Sequence, residues 1–192
     1  MARYRESMRK WVVAGATVVL VAVAAGLFWF QPWKLFTSKT VNDPVPVVEA
    51  GTGTPSPPAT PSGPATTVAT LVGRGDLVTH EHATSGEVQL IRLPNGQHQL
   101  VIRDLSTSDG PDLRVWLTDQ TVLAGSEGWH VFDDGAHLEL GRLKGNHGTQ
   151  VYDVPAGTDV TMYRSVTIWC KRFSVSFGAA ELTSPSTRSG SA

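Results

Sequence analysis

The chain has 192 residues with 16 basic and 17 acidic side chains, a near-balanced total that is unevenly distributed. Arg3, Arg5, Arg9, Lys10 and Lys34 flank the first apolar stretch with Glu6 as the only nearby acid; from Thr37 onward 16 acids face 11 bases, so there is no basic footprint for nucleic acid and that class is set aside. The single cysteine, Cys170, excludes an internal disulfide, a CxxC zinc or thioredoxin motif and a CxxCH haem attachment, and an oxidising compartment is neither required nor excluded.

Residues 1–10 carry the basic cluster and read as a cytoplasmic N-terminus under the positive-inside rule. Trp11 to Phe30 is a run of 20 residues without a charge, enough at about 1.5 Å per residue to cross a hydrocarbon core of about 30 Å as a transmembrane helix. Trp11, Trp29 and Trp33 stand at its ends, where indole rings favour the interface. The rival reading is a cleaved signal peptide ending near Ala22-Val23-Ala24, but Leu27-Phe28-Trp29-Phe30 continues the apolar run past that point and favours an uncleaved anchor. Both readings export the rest of the chain, which predicts a single-pass cell-membrane protein with an extracytoplasmic C-terminal part.

Residues 37–67 read as a disordered linker. From Val41 the segment is dominated by Pro, Thr, Gly, Ser and Ala, with Pro44, Pro46, Pro55, Pro57, Pro58, Pro61 and Pro64, and it has few large apolar groups to bury. It is expected to act as a stalk that holds a domain off the bilayer. The domain spans 68–183, and 184–192 is a polar tail.

Within 68–183 the pattern is that of strands. Val88 and Leu90 alternate with Gln89 and Ile91, Pro94-Asn95-Gly96-Gln97 supplies a turn, and Leu100 and Ile102 resume the alternation, which predicts a β-hairpin. Leu113, Val115 and Leu117 share one face of another strand, and Val151 and Tyr152 precede a Pro155-Ala156-Gly157 turn. In the last segment the apolar positions are even up to Ile168 and odd from Phe173, which predicts one long strand with a bulge or kink near Lys171-Arg172. No amphipathic helix is expected, and the fold class is all-β, an antiparallel sandwich or barrel.

Three stretches then carry a family resemblance. Ser106-Thr107-Ser108-Asp109-Gly110-Pro111-Asp112-Leu113, Leu140-Gly141-Arg142-Leu143-Lys144-Gly145-Asn146 and Val166-Thr167-Ile168-Trp169-Cys170-Lys171-Arg172-Phe173-Ser174-Val175, with the closing Phe177-Gly178-Ala179-Ala180-Glu181-Leu182, resemble the DM13 domain family in order and spacing. The resemblance covers about the whole of 68–183, and the anchor and stalk are similar to those of small bacterial membrane-anchored members. It implies an all-β extracytoplasmic module, often found beside DOMON domains, with electron transfer proposed through its cysteine. On that footing Cys170 is a redox thiol or a haem ligand, with Val166, Ile168, Trp169 and Phe173 as the wall of the site and any redox partner acting in trans. Haem is the cofactor this brings forward; the residues alone identify none.

Other candidates read more plainly. A lone cysteine is most often a small buried hydrophobe. His80-x-His82 would put two rings on one strand face, half a metal site, but no further ligand has the spacing, and His98, His130, His137 and His147 add none. Asp104, Asp109 and Asp112 read as shaping their own turn, and Lys144-Gly145-Asn146-His147-Gly148 as a turn without the following helix that phosphate binding needs. There is no GxSxG or HExxH constellation. The alternative to a redox role is a non-catalytic cell-surface binding or adhesion module in which Cys170 is structural and the loops at Asp109–Asp112 and Lys144–His147 are the recognition surface.

Overall fold

The computed structural model describes residues 2–31, 33, 37–48 and 68–185. They fall into two units, 1–37 and 38–192. The first is a helix, α1 (Ala2–Phe30), whose stretch Lys10–Phe30 is long and apolar enough to cross a membrane. Thr17 donates its hydroxyl to the Val13 carbonyl (2.9 Å), so the one hydroxyl in the apolar run is satisfied within the helix. Gln31 adopts a left-handed conformation (φ 45°) and caps the last turn through its N–H to the Leu27 carbonyl.

The second unit is a β-sandwich. Its strands are β1 (Thr40–Asn42), β2 (Thr70–Asp76), β3 (Val78–Thr79), β4 (Ser85–Arg92), β5 (His98–Ser106), β6 (Leu113–Thr118), β7 (His137–Arg142), β8 (His147–Asp153), β9 (Ser165–Cys170) and β10 (Val175–Glu181). One sheet has the order β1-β8-β5-β4-β2 and the other β3-β10-β9-β6-β7. Every pairing between these strands is antiparallel except β1 with β8. This is the all-β architecture the alternation predicts.

The β4–β5 hairpin forms at the expected turn. Asn95 Oδ1 accepts the Gln97 N–H (3.0 Å) and Gly96 takes φ 83°, a conformation cheap only for glycine. Val88, Leu90, Leu100 and Ile102 face Val115, Leu117, Val166 and Ile168 across the inter-sheet core. Ile91 and Val101 are also fully buried, on the outer face of the first sheet, because Val45 and Val48 lie over them.

That cover corrects the linker expectation for its first part. Residues 39–48 are fastened to the domain. β1 pairs with β8, Asn146 Oδ1 accepts the Lys39 N–H (2.7 Å), and Asp43 Oδ2 accepts from Lys144 Nζ (2.6 Å) and the Val151 N–H (3.0 Å). Val48 bridges Ala69. The proline-rich stretch 49–67 lies outside the described residues, but both its ends are fastened to the domain. It therefore connects β1 to β2 and is not a stalk between helix and domain; that connection is 31–38. The tail beyond 185 also lies outside the described residues.

The expected bulge near Lys171-Arg172 is instead a hairpin. β9 ends at Cys170, residues Lys171–Ser174 form the turn with Ser174 at φ 48°, and β10 begins at Val175 opposite Cys170. A four-residue turn changes strand parity as a bulge does, which is why the pattern misled.

Candidate functional site

Cys170 closes β9, paired with Leu113 of β6 and Val175 of β10. It shares the inward face with Val166 and Ile168, and it has no exposed surface. Two short segments cover it, the 107–112 connection and the Lys171–Ser174 turn. Burial pushes the thiol up, since a thiolate there would lose its water. The backbone N–H groups of Phe173, Arg172 and Asp112 near the sulfur pull the other way, and the Asp112 carboxylate adds a push upward. The balance leaves a neutral thiol.

The two segments over the sulfur are pinned from several sides. Asp109 Oδ1 accepts the Gly110 N–H (2.8 Å), the local bond expected of a turn aspartate. Arg114 donates to Asp112 (2.8 Å) and Glu139 (2.6 Å), and Arg142 lies 3.4 Å from Asp112. Although burial pushes Asp112 up, the bond and charge of Arg114, with Arg142 and Lys171, hold it below the usual carboxylate range. Asn146, almost fully buried, donates to the Thr107 carbonyl (3.1 Å) while its own carbonyl accepts from Thr107 N–H (2.9 Å). The Lys144–Gly148 segment is thus a clasp joining β1 to the 107–112 connection. A Cβ on Gly145 or Gly148 would run into the backbone of Lys39 or Val41, so these glycines let β1 dock.

The structure separates residues that the sequence places together. Trp169 points to the outer face of the second sheet, opposite Cys170, and so does not wall the sulfur. Phe173 sits in the turn, 40% exposed, and reaches the sulfur through its backbone N–H. His80 and His82 do not share a strand face, because β3 ends at Thr79. His82 packs on Phe177 (centroids 3.9 Å), whereas His80 is buried between Ser176 Oγ at Nδ1 (2.7 Å) and the Leu123 carbonyl at Nε2 (3.0 Å). The carbonyl can only accept, so Nε2 carries the proton and Ser176 donates to Nδ1. Ser176 Oγ in turn contacts Thr167 Oγ1 (2.8 Å). Among the described residues, no group of three or more His, Cys, Asp or Glu could hold a metal ion.

A row of rings on that outer face is a feature that sequence reading did not single out. His137, exposed, stacks on Trp116 (4.1 Å, 10°); Trp116 stacks on Trp169 (5.2 Å, 28°); Trp169 meets Phe132 edge-on (6.4 Å), and Phe132 stacks on His80 (5.7 Å). The signal was present in strand parity: Trp116 alternates with Val115 and Leu117, and Trp169 with Ile168 and Cys170. The 119–136 connection lays Val122, Val131 and Phe132 over this face.

A family model described as "Electron transfer DM13" matches residues 76–182, more than half of the chain. The chain belongs to the DM13 family. No curated protein and no solved structure matches it. The DM13 match begins at Asp76, so β1 and nearly all of β2 lie outside it although they complete the first sheet. Within the match, the three motifs meet at one end of the sandwich: the 107–112 connection, the 143–146 clasp and the Cys170 turn. The shallow cleft between Asn95–His98 and Pro155–Asp159 lies at the opposite end, where the β4–β5 turn and the β8–β9 connection meet.

A haem on Cys170 is not accommodated. A porphyrin needs an open face at its axial ligand, and this residue has no exposed surface, lying between its strand partners Leu113 and Val175. Trp169 is on the wrong face to line a haem pocket and Phe173 is turned toward solvent.

Proposed function

We propose that the protein is a membrane-tethered extracytoplasmic electron-transfer module whose redox group is the Cys170 thiol. The family description supports electron transfer in general, and the observation that carries the assignment to Cys170 is its setting: the chain's sole thiol, at the end of β9 and fully shielded from water. A sealed neutral thiol is unsuited to disulfide exchange, which needs thiolate and access. Outer-sphere transfer of single electrons needs neither. In that step the S–H loses one electron to a one-electron acceptor on a redox partner, and its proton is released to solvent. The anchor is α1, and the connection 31–38, fully extended, has a reach of about 30 Å. The partner is therefore a protein of the same membrane or its surface, acting in trans.

The test is electron paramagnetic resonance of the full chain after treatment with a strong one-electron oxidant. The reading expects a sulfur-centred radical that is absent from Cys170→Ala. Identical spectra would refute it.

A second reading keeps Cys170 as core packing in a non-catalytic surface-binding module. The zero exposure and raised pKa of the thiol favour it. It is the reading that stands if the two spectra coincide.

A further inference from the structure

An electron-transfer domain whose redox group is sealed needs a route to its surface. Cys170 has none by contact, but its strand neighbour Trp169 opens onto the ring row of the outer face. From Trp169 the row runs through Trp116, 4% exposed, to His137 at the surface, with centroid steps of 5.2 and 4.1 Å. Such stacking could be plain packing. What goes beyond packing is the partner of the middle ring. Trp116 Nε1 donates to Glu139 Oε2 (3.3 Å), and the same carboxylate is held by Arg114 Nη1 (2.6 Å) and Lys171 Nζ (3.4 Å). Burial works against the charge of Glu139, but Arg114, the Trp116 N–H and Lys171 outweigh it, so the carboxylate is ionised and accepts the indole N–H.

We propose that Trp169 and Trp116 form a one-electron relay from the interior of the sandwich to the surface at His137, with Glu139 as the proton acceptor of Trp116. The proposal rests on the electron-transfer reading above and names its exit. A one-electron oxidant docked over His137 removes an electron from the Trp116 indole, and the Nε1 proton moves to Glu139 Oε2, leaving a neutral indole radical. Trp169 then supplies an electron to Trp116, and the proton returns from Glu139. Trp169 is refilled by Cys170, whose proton is released to solvent. The sum is one electron and one proton lost from the thiol and one electron gained by the oxidant. The partner surface is therefore the exposed face at His137, over Trp116.

The experiment is flash photolysis of the full chain in detergent with a dissolved ruthenium polypyridyl complex as the photogenerated one-electron oxidant, read by transient absorption. The relay expects an early neutral tryptophan radical that is lost in Trp116→Phe and kept in Trp129→Phe, whose ring packs against the main core instead. Glu139→Gln retains every ring, so it keeps the test decisive should Trp116→Phe loosen the fold; its radical should carry the spectrum of the protonated cation. Equal early signals in the two tryptophan variants, or an unchanged neutral radical in Glu139→Gln, would overturn the relay. Cys170→Ala separates the two readings. Relay radicals that persist longer in this variant support the link to the thiol. Relay signals of unchanged lifetime would refute Cys170 as the source while leaving the relay standing, and a sulfur radical that survives loss of the relay would do the reverse.

Discussion

The buried histidine His80 makes stability depend on pH in a direction the structure sets. The ring is 5% exposed, and its two nitrogens are spent on Ser176 and the Leu123 carbonyl. Burial lowers its pKa from the ordinary 6.5, only partly opposed by the Leu123 carbonyl. The folded protein therefore keeps it neutral at a pH where the unfolded chain protonates it. Above about 6.5 neither state binds the proton and stability is level. As pH falls below that value the unfolded state gains a proton first, and stability declines by about 1.4 kcal/mol per pH unit until the folded-state pKa is reached. For a domain of this size that is a melting temperature lower by about 5 °C per unit. His98 is shifted the same way, by burial and by Arg92, and contributes on top. Glu81, His82 and Phe132 are the other groups around His80, and of these Glu81 is paired with His82. The assay is thermal unfolding of the full chain from about pH 8 to about pH 5, beside His80→Gln and His98→Gln. His80→Gln should lose about 2 kcal/mol at all pH values through its two hydrogen bonds, yet show a flatter pH profile. A variant that keeps the full acid slope would refute the reasoning.

Asn146→Ala should cost about 2–3 kcal/mol, because it unties both Thr107 and Lys39 in a buried setting; urea unfolding at fixed pH checks it. Gly148→Ala, at φ 94° and against the Val41 carbonyl, should detach β1, seen as rapid amide exchange at Thr40–Asn42 with the other strands still protected. Replacing 50–66 with a short glycine-serine turn should stabilise the domain slightly, by about 0.6 kcal/mol per halving of the loop, because Val48 and Ala69 are already paired; a large loss would contradict that account. Loading the full chain with haem should give no Soret band that depends on Cys170, as comparison with Cys170→Ala would show.

The parts of the fold that were legible in sequence are those where a local rule decides. Asn95-Gly96 between alternating runs specifies its hairpin, and Val115 and Leu117 announce their buried face. The segment 37–48 was not legible. Its few valines are too sparse to alternate, and what orders them is pairing with β8, about a hundred residues away in sequence, and the outer face of β4 and β5, about fifty away. The parity change after Cys170 was visible, but a bulge and a four-residue turn leave the same mark. At the site, the sequence singled out Cys170 and its motif, and the usual fate of a lone cysteine pointed to burial, but not to the parts that seal it, Leu113, Val175 and the 107–112 connection arriving from elsewhere. Trp169 was assigned to the sulfur by adjacency in sequence, although neighbours on a strand face opposite ways. The Trp116–Trp169 stack arises from the β6–β9 register, which no local pattern encodes.

The most direct test of the central claim is voltammetry of the full chain in lipid nanodiscs, comparing wild type with Cys170→Ala. An electron-transfer module centred on this thiol predicts a redox wave in the wild type that is missing from the variant while the fold and melting behaviour persist. Superimposable voltammograms would contradict it and leave Cys170 as part of the core alone.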